Sequence, residues 1–347
     1  MTSEKAKSLE SSVQPVEIQA ARLPQNPIIK PGMPGLEGKP GVTATFKLSI
    51  YLARRLLGLT KEGFRHQIYQ IVRGSNINGP SLIRVPDWIE NPLGRYYLYF
   101  AHHQGKYIRL AYANQLEGPW TIYEPGTLHV DQTAGFDHVA SPDVHVIEET
   151  QEIRMYFHTP YEGYGQATMV ATSKDGLHFT ASPEVLGPFY FRVFKYGGVY
   201  YAIAKNKNIG GILLRSKDGV TAFEEGSEFI PNLRHTAVLV EDDTLMVFYS
   251  KIGDTPEHLM MTRVDLTKDW QEWQPSEFIS ILKPEMDYEG VDLPVETSIL
   301  GPAMKPVRQL RDPAIYLEGE KSYLLYSVKG EQGIAIAELI REDKGCE

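Results

Sequence analysis

The chain has 347 residues, 42% of them hydrophobic, and a formal net charge of −9. That supplies enough apolar material for a large core, and the acidic balance argues against nucleic-acid and anionic-membrane partners, which need a positive footprint. A single cysteine, Cys346, excludes a disulfide framework within the chain and fits a reducing compartment.

Residues 1–22 are polar and charged without apolar periodicity, and read as a disordered lead. The lead holds no apolar signal core and the chain no run long enough to span a bilayer, so the expectation is a cytoplasmic protein. Residues 23–75 read as an N-terminal segment. Within it Asn26–Ile29 is a short strand, Pro31–Gly41 a loop, and Phe46–Leu59 a short amphipathic helix with Arg54 and Arg55 among its leucines.

From residue 76 to residue 340 the chain is strand-rich and repeats itself at a period expected of propellers. The first unit runs through Asn78–Ile83, Tyr96–Ala101 and Ile108–Tyr112, and closes at Gly118-Pro119-Trp120. The second runs through Ser141–Val146, Ile153–Phe157 and Ala167–Ala171, and closes at Ser173-Lys174-Asp175-Gly176. The third has Phe189–Phe194, Val199–Ile203 and Gly211–Leu214, and repeats the turn as Ser216-Lys217-Asp218-Gly219. The fourth has Thr236–Val240, Thr244–Tyr249 and Leu259–Val264. The fifth has Arg311–Tyr316, Ser322–Tyr326 and Gly333–Ala337, followed by a tail over 341–347. Asp-Gly between alternating runs is a strong turn signal. The pattern predicts an all-β, five-bladed β-propeller in one domain, with Asn26–Ile29 supplying the strand that the fifth unit lacks. A β-sandwich leaves the repeated strand order unexplained.

In such a fold the starts of the first strands and the loops after the second strands share one face. This gathers Asn78, His138, Asp143, Arg192, Arg234, His235, Arg311 and Asp312 with His103 and His158. Convergent polar groups of this kind suit a small ligand. Asp312, in Arg311-Asp312-Pro313, is the first candidate catalytic carboxylate, because the adjacent arginine favours its ionised form. Asp143 is its candidate partner, and Glu296, in the long connection before the fifth unit, a candidate acid. Asn78, His103, His138, His158, Arg192, His235 and Arg311 are candidate substrate-binding residues. His102 and His103 are adjacent, so a strand turns them to opposite faces, and no spaced His or Cys cluster predicts a metal or other cofactor.

The Arg311-Asp312-Pro313 and Ser141-Pro142-Asp143-Val144 openings, the Tyr-rich second strands and the Gly118-Pro119-Trp120 edge resemble the five-bladed arabinanases, β-xylosidases, levansucrases and invertases, above all family 43 glycoside hydrolases. The resemblance implies a funnel that takes a small-molecule carbohydrate. It also implies an Asp before Pro in the first two blades and a Glu before Gly-Pro in the third. The matching positions here are Gly79, Ser141 and Leu186, so that carboxylate triad is absent. The expectation is a glycoside hydrolase-like protein with displaced carboxylates. A non-catalytic carbohydrate-binding propeller and a phosphorylase using Arg192, Arg234 and Arg311 are the alternatives.

Overall fold

The computed structural model describes residues 17–36, 76–103, 105–207 and 210–342. The helix expected over 46–59 lies outside them. The first described element, β1 (Glu17–Arg22), falls inside the stretch expected to be a disordered lead. Blade one contains β2 (Asn78–Arg84), β3 (Tyr96–Ala101), β4 (Arg109–Ala113) and β5 (Thr121–Tyr123). Blade two contains β6 (Ala140–Ile147), β7 (Glu152–Tyr161) and β8 (Gly165–Ser173), with the short β9 (Thr180–Ala181) and β10 (Gly187–Pro188) both paired to β8. Blade three contains β11 (Arg192–Tyr196), β12 (Val199–Asn206), β13 (Gly210–Ser216) and β14 (Glu224–Pro231). Blade four contains β15 (Leu233–Glu241), β16 (Thr244–Lys251), β17 (Leu259–Asp265) and β18 (Ile279–Leu282). Blade five contains β19 (Arg311–Glu318), β20 (Lys321–Ser327) and β21 (Ile334–Glu342), and β1 completes it. All pairings between neighbouring strands in these sheets are antiparallel, and the molecule is a five-bladed β-propeller.

Closure is where the sequence reading is corrected. β1 pairs with β21 from Glu17↔Glu342 to Arg22↔Ala337, and is the outer strand of blade five. The Asn26–Ile29 segment, expected in that role, continues along the same edge with a single bridge, Ile29↔Ile334. Arg22, the last residue of β1, donates through Nε to Glu289 at 2.7 Å. Glu289 is fully buried and also accepts from the Tyr326 hydroxyl at 2.9 Å.

Successive strand residues face opposite sides of a sheet, so in a propeller they enter opposite seams. Leu98 and Phe100 of β3 pack with Leu325 and Ile336 of blade five. Tyr97 and Tyr99 pack with Met155 and Phe157 of blade two. Three further apolar clusters fill the seams between blades two and three, three and four, and four and five. Such seams are the core of the molecule, and they leave the inner strand ends free to present polar groups to the axis.

The two Ser-Lys-Asp-Gly turns lock seams as well as chain direction. Asp175 Oδ1 accepts from the backbone N–H groups of Leu177 and His178 at 2.8 and 2.9 Å, and Asp218 Oδ1 from those of Val220 and Thr221 at 2.9 and 3.0 Å. Gly176 and Gly219 take φ of +73° and +72°, which glycine adopts without steric cost. The Tyr99 hydroxyl of blade one donates to the Gly176 carbonyl at 2.8 Å, and the Tyr156 hydroxyl of blade two to the Gly219 carbonyl at 2.9 Å. Among the described residues no helix is long and apolar enough to cross a membrane.

Tyr99→Phe leaves the Gly176 carbonyl without this buried donor, and is expected to lower unfolding free energy by about 1–3 kcal/mol, read from urea denaturation midpoints. An unchanged midpoint would remove the tyrosine staple from the account of seam stability.

Candidate active site

A cavity of about 790 Å³ lies on the propeller face where first strands begin and second strands end. Strand starts contribute Asn78, His138, Ser141, Arg234, His235 and Asp312 to its wall. The segments around and after second strands contribute His103, His158, Lys205, Asn206, Lys207 and Glu331.

The inner strands open in a shared way. Gly79, Ser141 and Asp312 each precede a proline, and have φ of +60°, +53° and +48°. Each sits at a register shift of its blade's inner hairpin. A bulge of this type re-aims the side chain. Of the three equivalent positions, one carries a carboxylate.

Asp312 is 2% exposed. Its Oδ1 accepts from the Tyr190 hydroxyl at 2.6 Å and lies 2.7 Å from His235 Nδ1. Its Oδ2 has no hydrogen-bond partner among the described residues. Burial pushes the carboxyl upward, but the field and hydrogen bond of His235 and the Tyr190 hydroxyl outweigh it and hold Asp312 below its usual value. Burial pushes His235 down to about 4 against the opposing pull of Asp312. At neutral pH the pair is therefore a carboxylate and a neutral imidazole. Tyr190 stacks on His235 with ring centroids 4.4 Å apart, and Arg192 lies 5.0 Å from the tyrosine centroid. Tyr190 holds φ of +74°, a strained conformation for an aromatic residue.

A buried chain of charges, with Glu331 and Arg234 in the cavity wall, links blades one, four and five. Glu331 Oε2 accepts from Asn76 and Asn78 at 2.8 and 3.0 Å and lies 3.4 Å from His103 Nδ1. Its Oε1 accepts from Arg311 at 3.1 Å and from the Ala303 N–H at 3.0 Å. Arg311 Nε lies 3.2 Å from Glu257 Oε2, and Arg234 Nε lies 2.7 Å from Glu257 Oε1. Burial pushes Glu331 upward, yet His103, Arg311 and Asn76 hold it well below the usual carboxylate range. Lys205 stands apart from this chain. It is 4% exposed, and its Nζ makes no hydrogen bond with the described residues; it lies 5.8 Å from the Phe189 ring centroid. Burial, helped by the Arg234 charge, pushes it down to about 8.

Of the candidates read from the sequence, Asn78, His103, His138, His158, His235 and Asp312 line one cavity. Four other candidates do not line it. Asp143 Oδ2 accepts from the Val193 N–H at 2.8 Å and meets His145 Nε2 at 3.0 Å, which ties blade two to blade three. Glu296 is exposed on the connection between β18 and β19. Arg192 is buried beside Tyr190, and Arg311 beneath the cavity in the charge chain. Lys205, Glu257, Glu331 and Tyr190 carry the site without having been singled out. The first three sit at the ends of second strands or in the turns after them, the positions the propeller rule names. Among the described residues no cluster of His, Cys, Asp or Glu is arranged to hold a metal.

His235 sets a stability slope. The unfolded chain takes up a proton near pH 6.5, the free value, while the folded protein does so only near 4. Stability is therefore lost as pH falls through that window, by about 2 kcal/mol between pH 7 and 5 for this one group. Asp312 has the same sign but acts below its free value of 3.8, outside the tested range. Urea unfolding at pH 7 and pH 5 should show the loss, and His235→Asn should shrink it; an identical slope in the variant would place the buried neutral imidazole elsewhere.

No protein-family model matches the chain. It is 35% identical over 302 residues to the uncharacterized protein R118 of Acanthamoeba polyphaga mimivirus, covering 76% of this chain and 83% of that one. Among solved structures, a protein described with the GH130 family of mannoside phosphorylases, as containing glycoside hydrolases that target β-1,2 mannosidic linkages in Candida mannan, aligns with a TM-score of 0.61 at 11% identity, over 92% of this chain and 93% of that one. The α-L-arabinofuranosidase of Lactobacillus brevis aligns with a TM-score of 0.57 at 13% identity, over 77% and 92%. A GH43 β-xylosidase/α-arabinofuranosidase from a compost metagenome, in complex with xylotriose, aligns with a TM-score of 0.54 at 14% identity, over 78% and 93%. The chain belongs to the family of the mimivirus protein R118, built on the five-bladed propeller fold of the GH43 and GH130 structures.

Proposed function

We propose that the protein is a carbohydrate-active enzyme that takes a short oligosaccharide or glycoside into the funnel and cleaves its glycosidic bond beside Asp312. The reading is carried by one observation: Asp312 is held ionised through Oδ1 while Oδ2 keeps its lone pairs unused. The cavity volume of about 790 Å³ falls in the range of small-ligand sites. The glycosidase neighbours, matched in fold alone, are consistent with such a ligand.

An ionised carboxylate is suited to accept a proton or to stabilise a cationic transition state, and unsuited to donate. Asp312 is thus assigned as base. A water oxygen forms the new bond to the anomeric carbon, its proton passes to Asp312, and the bond to the leaving-group oxygen breaks. That oxygen needs a proton. Lys205, with a pKa of about 8, is protonated at pH 7 and is a buried cation of the cavity wall with no hydrogen-bond acceptor among the described residues, whereas Lys207 is exposed to solvent. We assign it as the donor. Asp143 and Glu296 have no part in this scheme, because one is spent on Val193 and His145 and the other is exposed away from the cavity wall.

A phosphate-using variant of the reaction is favoured by the same unpaired Lys205. It is weakened by the arginines, since Arg234 and Arg311 are engaged by Glu257, Glu331 and the Gly301 carbonyl.

The test is a screen of aryl glycosides and oligosaccharides with and without phosphate, on wild type, Asp312→Asn and Lys205→Met. Asp312→Asn should lose about 10²–10⁴-fold in kcat while ligand binding persists. Activity should fall as pH rises through about 8, where Lys205 loses its proton, and Lys205→Met should lack that limb. Equal turnover by Asp312→Asn removes it from the mechanism. Binding without turnover in wild type would make the protein a carbohydrate-binding propeller, and turnover only with phosphate a phosphorylase.

A further inference from the structure

The connection between β18 and β19, residues 283–310, concentrates exposed apolar side chains: Met286, Val295, Ile299, Leu300 and Met304. Ile299 is 74% exposed and Leu300 57%. Their exposure is enforced from below. Ser298 is pinned by its N–H to the Asp254 carbonyl at 2.9 Å and by its carbonyl, which accepts from the Gly253 N–H at 3.1 Å. Arg234 donates to the carbonyls of Ile299 and Gly301, Arg311 donates to Gly301 at 3.3 Å, and the Ala303 N–H is held by Glu331. Buried anchors thus lie on both sides of a two-residue apolar projection. The segment cannot turn its side chains inward without breaking charge-assisted bonds, which are the stronger class of hydrogen bond.

Leu300 and Gly301 line the same cavity as Asp312. From blade two, Tyr164 lines it as well, 48% exposed at the tip of the β7–β8 hairpin. The cavity therefore has a polar buried wall, with Asp312, Lys205 and Glu331, and an apolar exposed lip. Enforced exposure of apolar surface costs about 25 cal/mol per Å² and marks a contact site when it is contiguous with a pocket.

We propose that this lip, Leu300 with Tyr164, binds an apolar aglycone, so that the substrate is a glycoside with an alkyl or aryl group on its leaving-group side. The proposal rests on the funnel reading above. The occupant is chosen by continuity: a sugar ring seated at Asp312 has the lip as the cavity's outer wall.

The test compares the affinities of methyl, phenyl and octyl glycosides of the glycone accepted in the screen, by calorimetry on Asp312→Asn to prevent turnover. The octyl and phenyl compounds should bind about tenfold or more tightly than the methyl compound. In Asp312→Asn carrying Leu300→Ser or Tyr164→Ser that ratio should fall severalfold, while Leu317→Ser, at an exposed leucine that does not line the cavity, should leave it intact. A ratio near one, or a ratio untouched by Leu300→Ser and Tyr164→Ser, overturns the lip alone. A dimer that Leu300→Ser dissociates, seen by sedimentation, overturns it too, because the lip would then be an interface between copies. Failure of every glycoside to bind, methyl, phenyl and octyl alike, removes the funnel reading and the lip with it.

Discussion

Everything at the axis of this protein depends on a hydrogen-bonded pairing between β1 and β21, strands from opposite ends of the described chain. Each blade presents only a few polar groups on the cavity face, and no blade holds a site by itself. Asp312 comes from blade five, Tyr190 from the entry to blade three and His235 from blade four, yet they meet within hydrogen-bond distance. That meeting needs five seams filled at once, and the ring stays closed because the last blade borrows its outer strand from the chain's beginning. Arg22, partly exposed, and the fully buried Glu289 add a charged clasp at the same place. Removing Arg22 would leave the buried Glu289 carboxylate uncompensated, which is costlier than the pair is favourable.

The charges around the funnel divide by use. Glu331 is saturated by guanidinium and amide donors, and Glu257 accepts from the Ser250 hydroxyl and sits at ion-pair distance from Arg234 and Arg311, so that both are held by fixed partners at the cavity floor. Asp312 is half-used, and Lys205 unused. Opposite charges buried in one wall and left unjoined are expensive. Proteins retain such arrangements where a ligand completes them, which is why chemistry is assigned to these two and structure to the others.

The architecture was readable because it is periodic. Alternating apolar runs, Asp-Gly turns and Tyr-rich second strands recur, and the seams demand that recurrence. The closing strand was misplaced because Glu17–Arg22, at the edge of its sheet, carries one strongly apolar residue, Ile18, and so lacks the alternation of an inner strand. Asp143 stands off the cavity for a geometric reason. The position equivalent to Asp312 in blade two is Ser141, and the bulge after it carries Asp143 into the seam, where the Val193 N–H waits. Lys205, Glu257 and Glu331 follow from the same rule that located His103 and His158, extended to the ends of all second strands. Tyr190 carried no sequence signal, since its role comes from a left-handed backbone no propensity announces.

The tyrosine staples give the ring a sense of rotation. A hydroxyl from blade one completes a turn in blade two, and one from blade two completes a turn in blade three, always forwards along the chain. During synthesis blades one and two therefore emerge with an unspent donor, waiting for a carbonyl not yet made. A fragment cut between blades would carry that debt at its edge.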